Sequence, residues 1–146
     1  MIVTQTMLEN RVGADELVRL TDDAGTGSVN ASVMARAIDE GEGELLNNIG
    51  QRYVLPLALS DTNTASVVQG MMIDAVVYRL YMRRDHAVTE EHTAAYRHAV
   101  EWSEKIAAGK LGLLGETERS ESPSGVGQVI VDGSSRVISR ETTQGL

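Results

Sequence analysis

The sequence predicts an all-α fold: a small helical bundle of two short N-terminal helices and three long ones, with an extended C-terminal tail that can form a β-hairpin. Three observations carry that expectation. The stretch 65–84 is apolar almost all round when wound as a helix, the mark of an element wrapped by others. The segments on either side of it repeat apolar residues every three or four positions behind good capping residues. After Leu114 the helical period disappears and the chain turns polar. These changes divide the chain into a bundle domain at 1–114, a linker at 115–127 and a docking arm at 128–146.

Taken in order, Thr6 and Glu9 have capping-box spacing and can start a short helix through Leu8 and Val12, which Gly13 stops. A second short helix follows from Ala14 or Asp15, with Leu17, Val18 and Leu20 inward. Residues 21–28 form a loop by composition, and the Asp22–Asp23 pair within it reads as a solvated turn, since calcium-loop spacing is missing. Asn30 caps a helix running to about Tyr53, with Met34, Ile38, Gly41, Leu45 and Ile49 on a narrow stripe and Ser32, Arg36, Asp39, Glu40, Gly43 and Asn47 facing water. Gly41 lies on the stripe despite its cost in helix propensity, which points to close approach of a neighbouring helix. Pro56 disfavours helical geometry at Leu55, so the chain passes into an extended apolar corner there.

The polar stretch 60–63 then leads to the central helix, capped by Thr64. Val68, Met71, Met72, Ala75 and Met82 share one side of it, Val67, Tyr78 and Tyr81 flank them, and Ile73, Val76, Val77 and Leu80 cover much of the rest. Asp74 and Arg79 near its middle argue against a membrane span. Arg83 and Arg84 sit at the negative end of its dipole. Thr89 caps the last long helix, with Glu90 and Glu91 in its first turn. Its inner stripe is Ala95, Tyr96, Ala99, Ser103, Ile106 and Ala107, with Trp102 at the edge and Gly109 as C-cap. Beyond the linker, residues 128–131 and 136–139 read as two short strands about a turn at 132–135. An isolated hairpin is marginal in water, so this tail either adds to another protein's surface or stays mobile.

One domain fits a chain of 146 residues. With no cysteine, disulfides, zinc thiolates and cysteine nucleophiles are excluded. Phenylalanine is absent too, so the core must be aliphatic with Met, Ala and a few Tyr. The first residues carry no basic segment followed by an apolar run, so no secretory leader is expected. A formal net charge of −8 argues against a nucleic-acid-binding surface, but suits one that DNA must slide past without sticking. No catalytic, cofactor-binding or metal site is expected. His92 and His98 are on different helix faces, His86 lies apart, and there is no phosphate-binding or metalloprotease motif. Asp74 is the one candidate catalytic carboxylate, and an ion pair with Arg79 or another basic group accounts for it more simply.

Taken together, five stretches resemble the head-to-tail connector (adaptor, or head-completion) proteins of tailed phages, of the Mu-like prophage type. They are residues 2–4 with 17–22; 44–57, reading ELLNNIGQRYVLPL; 74–84, reading DAVVYRLYMRR; 96–110, reading YRHAVEWSEKIAAGK; and 136–140, reading RVISR. The Arg-Tyr-x-Leu-Pro-Leu corner and the Ala-x-Gly-Lys helix end are the most telling. The chain departs from the pattern at Ile138, where relatives often carry Phe, and in the glycines ahead of Arg52. The resemblance implies a virion protein, assembled in the host cytoplasm, that forms a homo-oligomeric ring, usually a dodecamer, under the portal protein at the head–tail junction. Such a ring extends the channel for genome DNA and receives the next connector or tail-completion protein on its other face.

On that basis Val129, Ile130, Val131, Arg136, Val137, Ile138, Arg140 and Leu146 are expected to contact the portal, and Arg52, Tyr53 and Arg83 a neighbouring subunit. A small helical regulatory or interaction module with no virion role is the alternative. An enzyme built on Asp74 and a histidine is a third class that the site criteria disfavour.

Overall fold

A computed structural model describes residues 1–83 and 88–120. Five helices follow one another along the chain: α1 (Gln5–Val12), α2 (Ala14–Thr21), α3 (Ala31–Ile49), α4 (Thr62–Met82) and α5 (Glu90–Ala107). The described residues are thus all-α, as the apolar periodicities predict. The proposed hairpin, the arm and Arg84 and His86 lie outside the described residues.

The core forms where α3, α4 and α5 pack pairwise against one another, with α1 on α2 and α4, and α2 against α3 and α4. From α4 it takes Val68, Met72, Ala75, Val76, Val77 and Leu80, from α3 Ala37, Ile38, Leu45 and Ile49, and from α5 Ala99 and Ile106. Gly41 is buried on the α3 stripe because the backbone of Val76 crosses it: a Cβ there would lie 2.9 Å from the Val76 nitrogen. The six polar positions assigned to the wet face of α3 are all exposed. On α4 the burial is less complete than its composition suggests. Val67 near its start is 45 % exposed and Met82 at its end 53 %, so one side of each end faces outward while Thr64, Val68 and Leu80 are buried on the other.

Three helix ends differ from the sequence expectation, each for a local reason. The cap of α1 is Thr4, whose hydroxyl accepts from the Met7 amide, while Glu9 is taken by Gln5 instead of closing a box with Thr6. The α4 cap is Asp61, whose carboxylate accepts from the Thr64 amide at 2.8 Å. The helix therefore starts a turn earlier, and Thr64 sits buried inside it. Finally, α3 stops at Ile49 instead of near Tyr53. From Gly50 the chain tightens into shorter turns, with the Gln51 amide donating to the Asn48 carbonyl and the Arg52 amide to that of Ile49. Gly50 leaves room for Leu55 to fold back over this helix end, since a Cβ would lie 2.9 Å from a Leu55 methyl.

The remaining caps are as expected. Asn30 accepts from the amides of Ser32 and Val33, and Thr89 from that of His92. Past α5, Gly109 adopts φ 73°. The Lys110 amide then reaches back to the Lys105 carbonyl, which satisfies the end of the helix.

Candidate docking corner and internal ion pairs

The most heavily cross-linked region outside the helices is the corner at 50–60 together with the segment 111–120 that returns along it. Tyr53 drops into the core, 2 % exposed, and its hydroxyl accepts from the Leu113 amide at 2.9 Å. Val54 donates its amide to the Thr117 carbonyl and Arg52 accepts the Arg119 amide, so Tyr53 and Glu118 face each other as an isolated antiparallel bridge. Glu116 accepts from the amides of Ala58 and Leu59 at 2.8 and 2.6 Å, groups that no helix or strand would otherwise satisfy. The Leu55–Pro56 peptide bond inside the corner is cis.

Arg52 joins the two segments of this corner. One guanidinium nitrogen donates to the Leu111 carbonyl at 3.1 Å, the other to Glu118 at 2.7 Å, and the group lies over the Tyr53 ring. Arg119 caps the end of α3 by donating to the Gly50 carbonyl at 2.7 Å. An open polar groove of about 710 Å³ runs beside these residues, lined by Gln51, Ala108, Glu118 and Ser120 among others. The first part of the expected linker, residues 115–120, is therefore bonded to the body. Its polar side chains and backbone satisfy the corner, a role that composition alone does not reveal.

The other charged side chains named from sequence are also engaged within the chain. Arg83 binds Asp23 through both guanidinium nitrogens and donates to the Leu20 carbonyl, which ties the α2–α3 loop to the end of α4. The bond to Asp23 raises the arginine pKa above its ordinary value. Asp22 holds the same loop by accepting from Thr26, Gly27 and Ala24, which lowers its own pKa. Asp74 pairs with Arg11 at 2.6 Å, while Arg79 pairs with Glu44 at 2.7 Å. The basic partner of Asp74 therefore comes from α1, not from its own helix. Tyr96 stacks on Tyr78 and donates to Glu44. Burial first, and then that hydrogen bond, push the Tyr96 pKa up to about 12.

Two further buried polar side chains make contacts that the sequence did not foretell. Glu42, 4 % exposed, turns inward and accepts from the amides of Ile2 and Val3 at 2.7 and 2.6 Å, pinning the N-terminal segment to α3. Ser103 accepts from Asn48 and donates to the Val100 carbonyl. Glu42 follows Gly41 and falls one turn before Leu45 and Leu46, so a charged residue beside the apolar stripe was the only available signal.

Among the described residues, no three His, Asp or Glu side chains converge in a way that would hold a metal ion. His92 stacks on Tyr81 and pairs with Thr89, while His98 is exposed. Arg52 and Arg83 keep part of their surface open at 26 % and 27 %, whereas Tyr53 offers almost none. The eight arm residues expected at the portal lie outside the described residues.

A compact helical body with a braced corner is thus the class of protein that the described residues define. The chain belongs to the family described as Bacteriophage Mu, Gp36, whose model matches residues 3–131. A search of curated proteins found no match. Among the described residues, no helix is long and apolar enough to cross a membrane.

Proposed function

We propose that this phage-family protein is a structural head-to-tail adaptor that forms a ring, of twelve subunits by resemblance, under the portal protein. The ring extends the genome channel and joins the capsid to the next connector or tail-completion protein at the head–tail junction. The family match carries this reading, because it extends from the bundle into the arm as far as Val131. The described body supports it in a second way. Its carboxylates at Glu42, Glu44, Asp61, Asp74, Glu116 and Glu118 are engaged in capping, pairing or bracing, as in a component whose work is to hold shape.

In this proposal the arm residues Val129, Ile130, Val131, Arg136, Val137, Ile138, Arg140 and Leu146 grip the portal, by strand addition or groove docking. Arg52 and Arg83 meet neighbouring subunits through their open sides, and Tyr53 serves by holding the corner that presents Arg52. The test is deletion of everything after Gly125. The shortened chain is expected to keep its helical circular dichroism and to lose its place on portal rings in negative-stain images. Normal assembly of the truncated chain on portal would overturn the docking assignment. If the full chain gave no ring with portal, the small regulatory module would become the better account.

A further inference from the structure

The corner leaves three large apolar side chains facing outward: Val54 at 47 %, Leu55 at 42 % and Leu114 at 67 % exposure. Cross-links gather them at one place. The Val54 amide bonds the Thr117 carbonyl, Leu113 bonds the Tyr53 hydroxyl, and Ser60 bonds the Gly115 carbonyl. Each keeps a large part of its surface open, although one Leu55 methyl rests over Gly50.

The described chain ends at Ser120, which lies beside Gln51 and Arg52 at this corner. Arg119 anchors that end through its amide on the Arg52 carbonyl and its guanidinium on the Gly50 carbonyl, both at 2.7 Å. Beyond it, Val129, Ile130 and Val131 form the first apolar cluster of the remaining chain. A tether from 120 to 129 spans at most roughly 30 Å when extended, so the cluster can reach the patch. Tethers this short hold a segment at an effective concentration on the order of millimolar. The corner also already pairs extended chain with extended chain at Tyr53 and Glu118.

We propose that the Val54, Leu55 and Leu114 patch is the resting seat of this chain's own segment 128–131, which shelters those side chains until a partner draws them away. Only that last clause rests on the adaptor reading above.

The chain has no cysteine, so an introduced pair reports proximity cleanly. Val54→Cys with Ile130→Cys in the full chain is compared with Gln51→Cys and Ile130→Cys. Gln51 is exposed and lies beside Ser120, at a similar distance from the end of the tether but outside the patch. Under mild oxidation the 54–130 pair is expected to close within one chain about ten-fold faster than the 51–130 pair. Equal rates would mean an arm with no preferred seat and would overturn the proposal. So would products that are mainly cross-linked between chains, which would give the patch to a second copy.

A second measurement leaves the body untouched. Val129→Asp with Ile130→Asp is expected to raise binding of an apolar fluorescent dye several-fold by uncovering the corner, and unchanged dye binding would count equally against the seat. Neither experiment contains portal, so failure here leaves the adaptor reading standing. Loss of the adaptor reading would likewise leave these results intact.

Discussion

Gly41 and Gly43 sit on opposite faces of α3 and have opposite consequences. A methyl group at Gly41 would meet Val76 backbone and side chain at 2.9 Å, whereas one at Gly43 meets nothing within 4 Å. Gly43→Ala is therefore expected to stabilise the fold by about 1 kcal/mol through helix propensity alone. Gly41→Ala gains the same propensity but overpacks the α3–α4 contact, at about 1–3 kcal/mol, and is expected to be neutral to destabilising. Urea unfolding of the two variants checks this, and equal stabilisation by both would mean the two helices are not in close contact there.

Tyr96 gives a pH-dependent test. It keeps its proton in the folded chain to about 12, against about 10 for an unfolded tyrosine. The native pKa is raised, so the contribution is complete below about pH 10 and is lost as pH rises from 10 towards 12. Tyr96→Phe is expected to cost about 1 kcal/mol at neutral pH through the lost bond to Glu44. The gap between the two proteins should narrow on unfolding at about pH 11, and a gap independent of pH would place Tyr96 outside the network.

At the scale of elements, the segment after α5 behaves as part of the body. Arg52 holds it from below, with Glu118 as a half-exposed partner, so the ion pair is worth less than a buried one. Arg52→Ala is expected to cost about 1 kcal/mol locally and to speed hydrogen exchange at the Val54 and Arg119 amides about five-fold, with the α4 amides unchanged. No change at those two amides would mean that backbone bonds alone hold the strap. The helix caps could be read from the sequence to within a turn, because a capping side chain acts on an amide two or three residues away. What could not be read was which of several adjacent candidates wins. Thr64 and Asp61 both suit a cap, and Asp61 takes the role by accepting from the Thr64 amide, which leaves Thr64 buried in the first turn.

For the molecule as a whole, a net charge of −8 should keep duplex DNA from adhering. At about 0.15 M salt no shift of duplex DNA is expected in a gel-mobility assay, as the proposed channel role requires. Clear retardation there would contradict a lumen that lets the genome pass freely.

Local chemistry determined the helical class, the position of the long helices, the wet and buried faces of α3 and the caps at Asn30 and Thr89. Each is set by a period of 3.6 residues or by a side chain reaching its own first turn. The tertiary structure alone decided the pairing of Arg11 with Asp74, of Arg83 with Asp23, of Glu42 with the N-terminal amides, and of Arg52 with Glu118. Those contacts join residues separated by 39 to 66 positions, and which charge finds which partner depends on how the helices cross. A stretch of sequence records the faces of its own helix, but it carries no trace of what will pack against them.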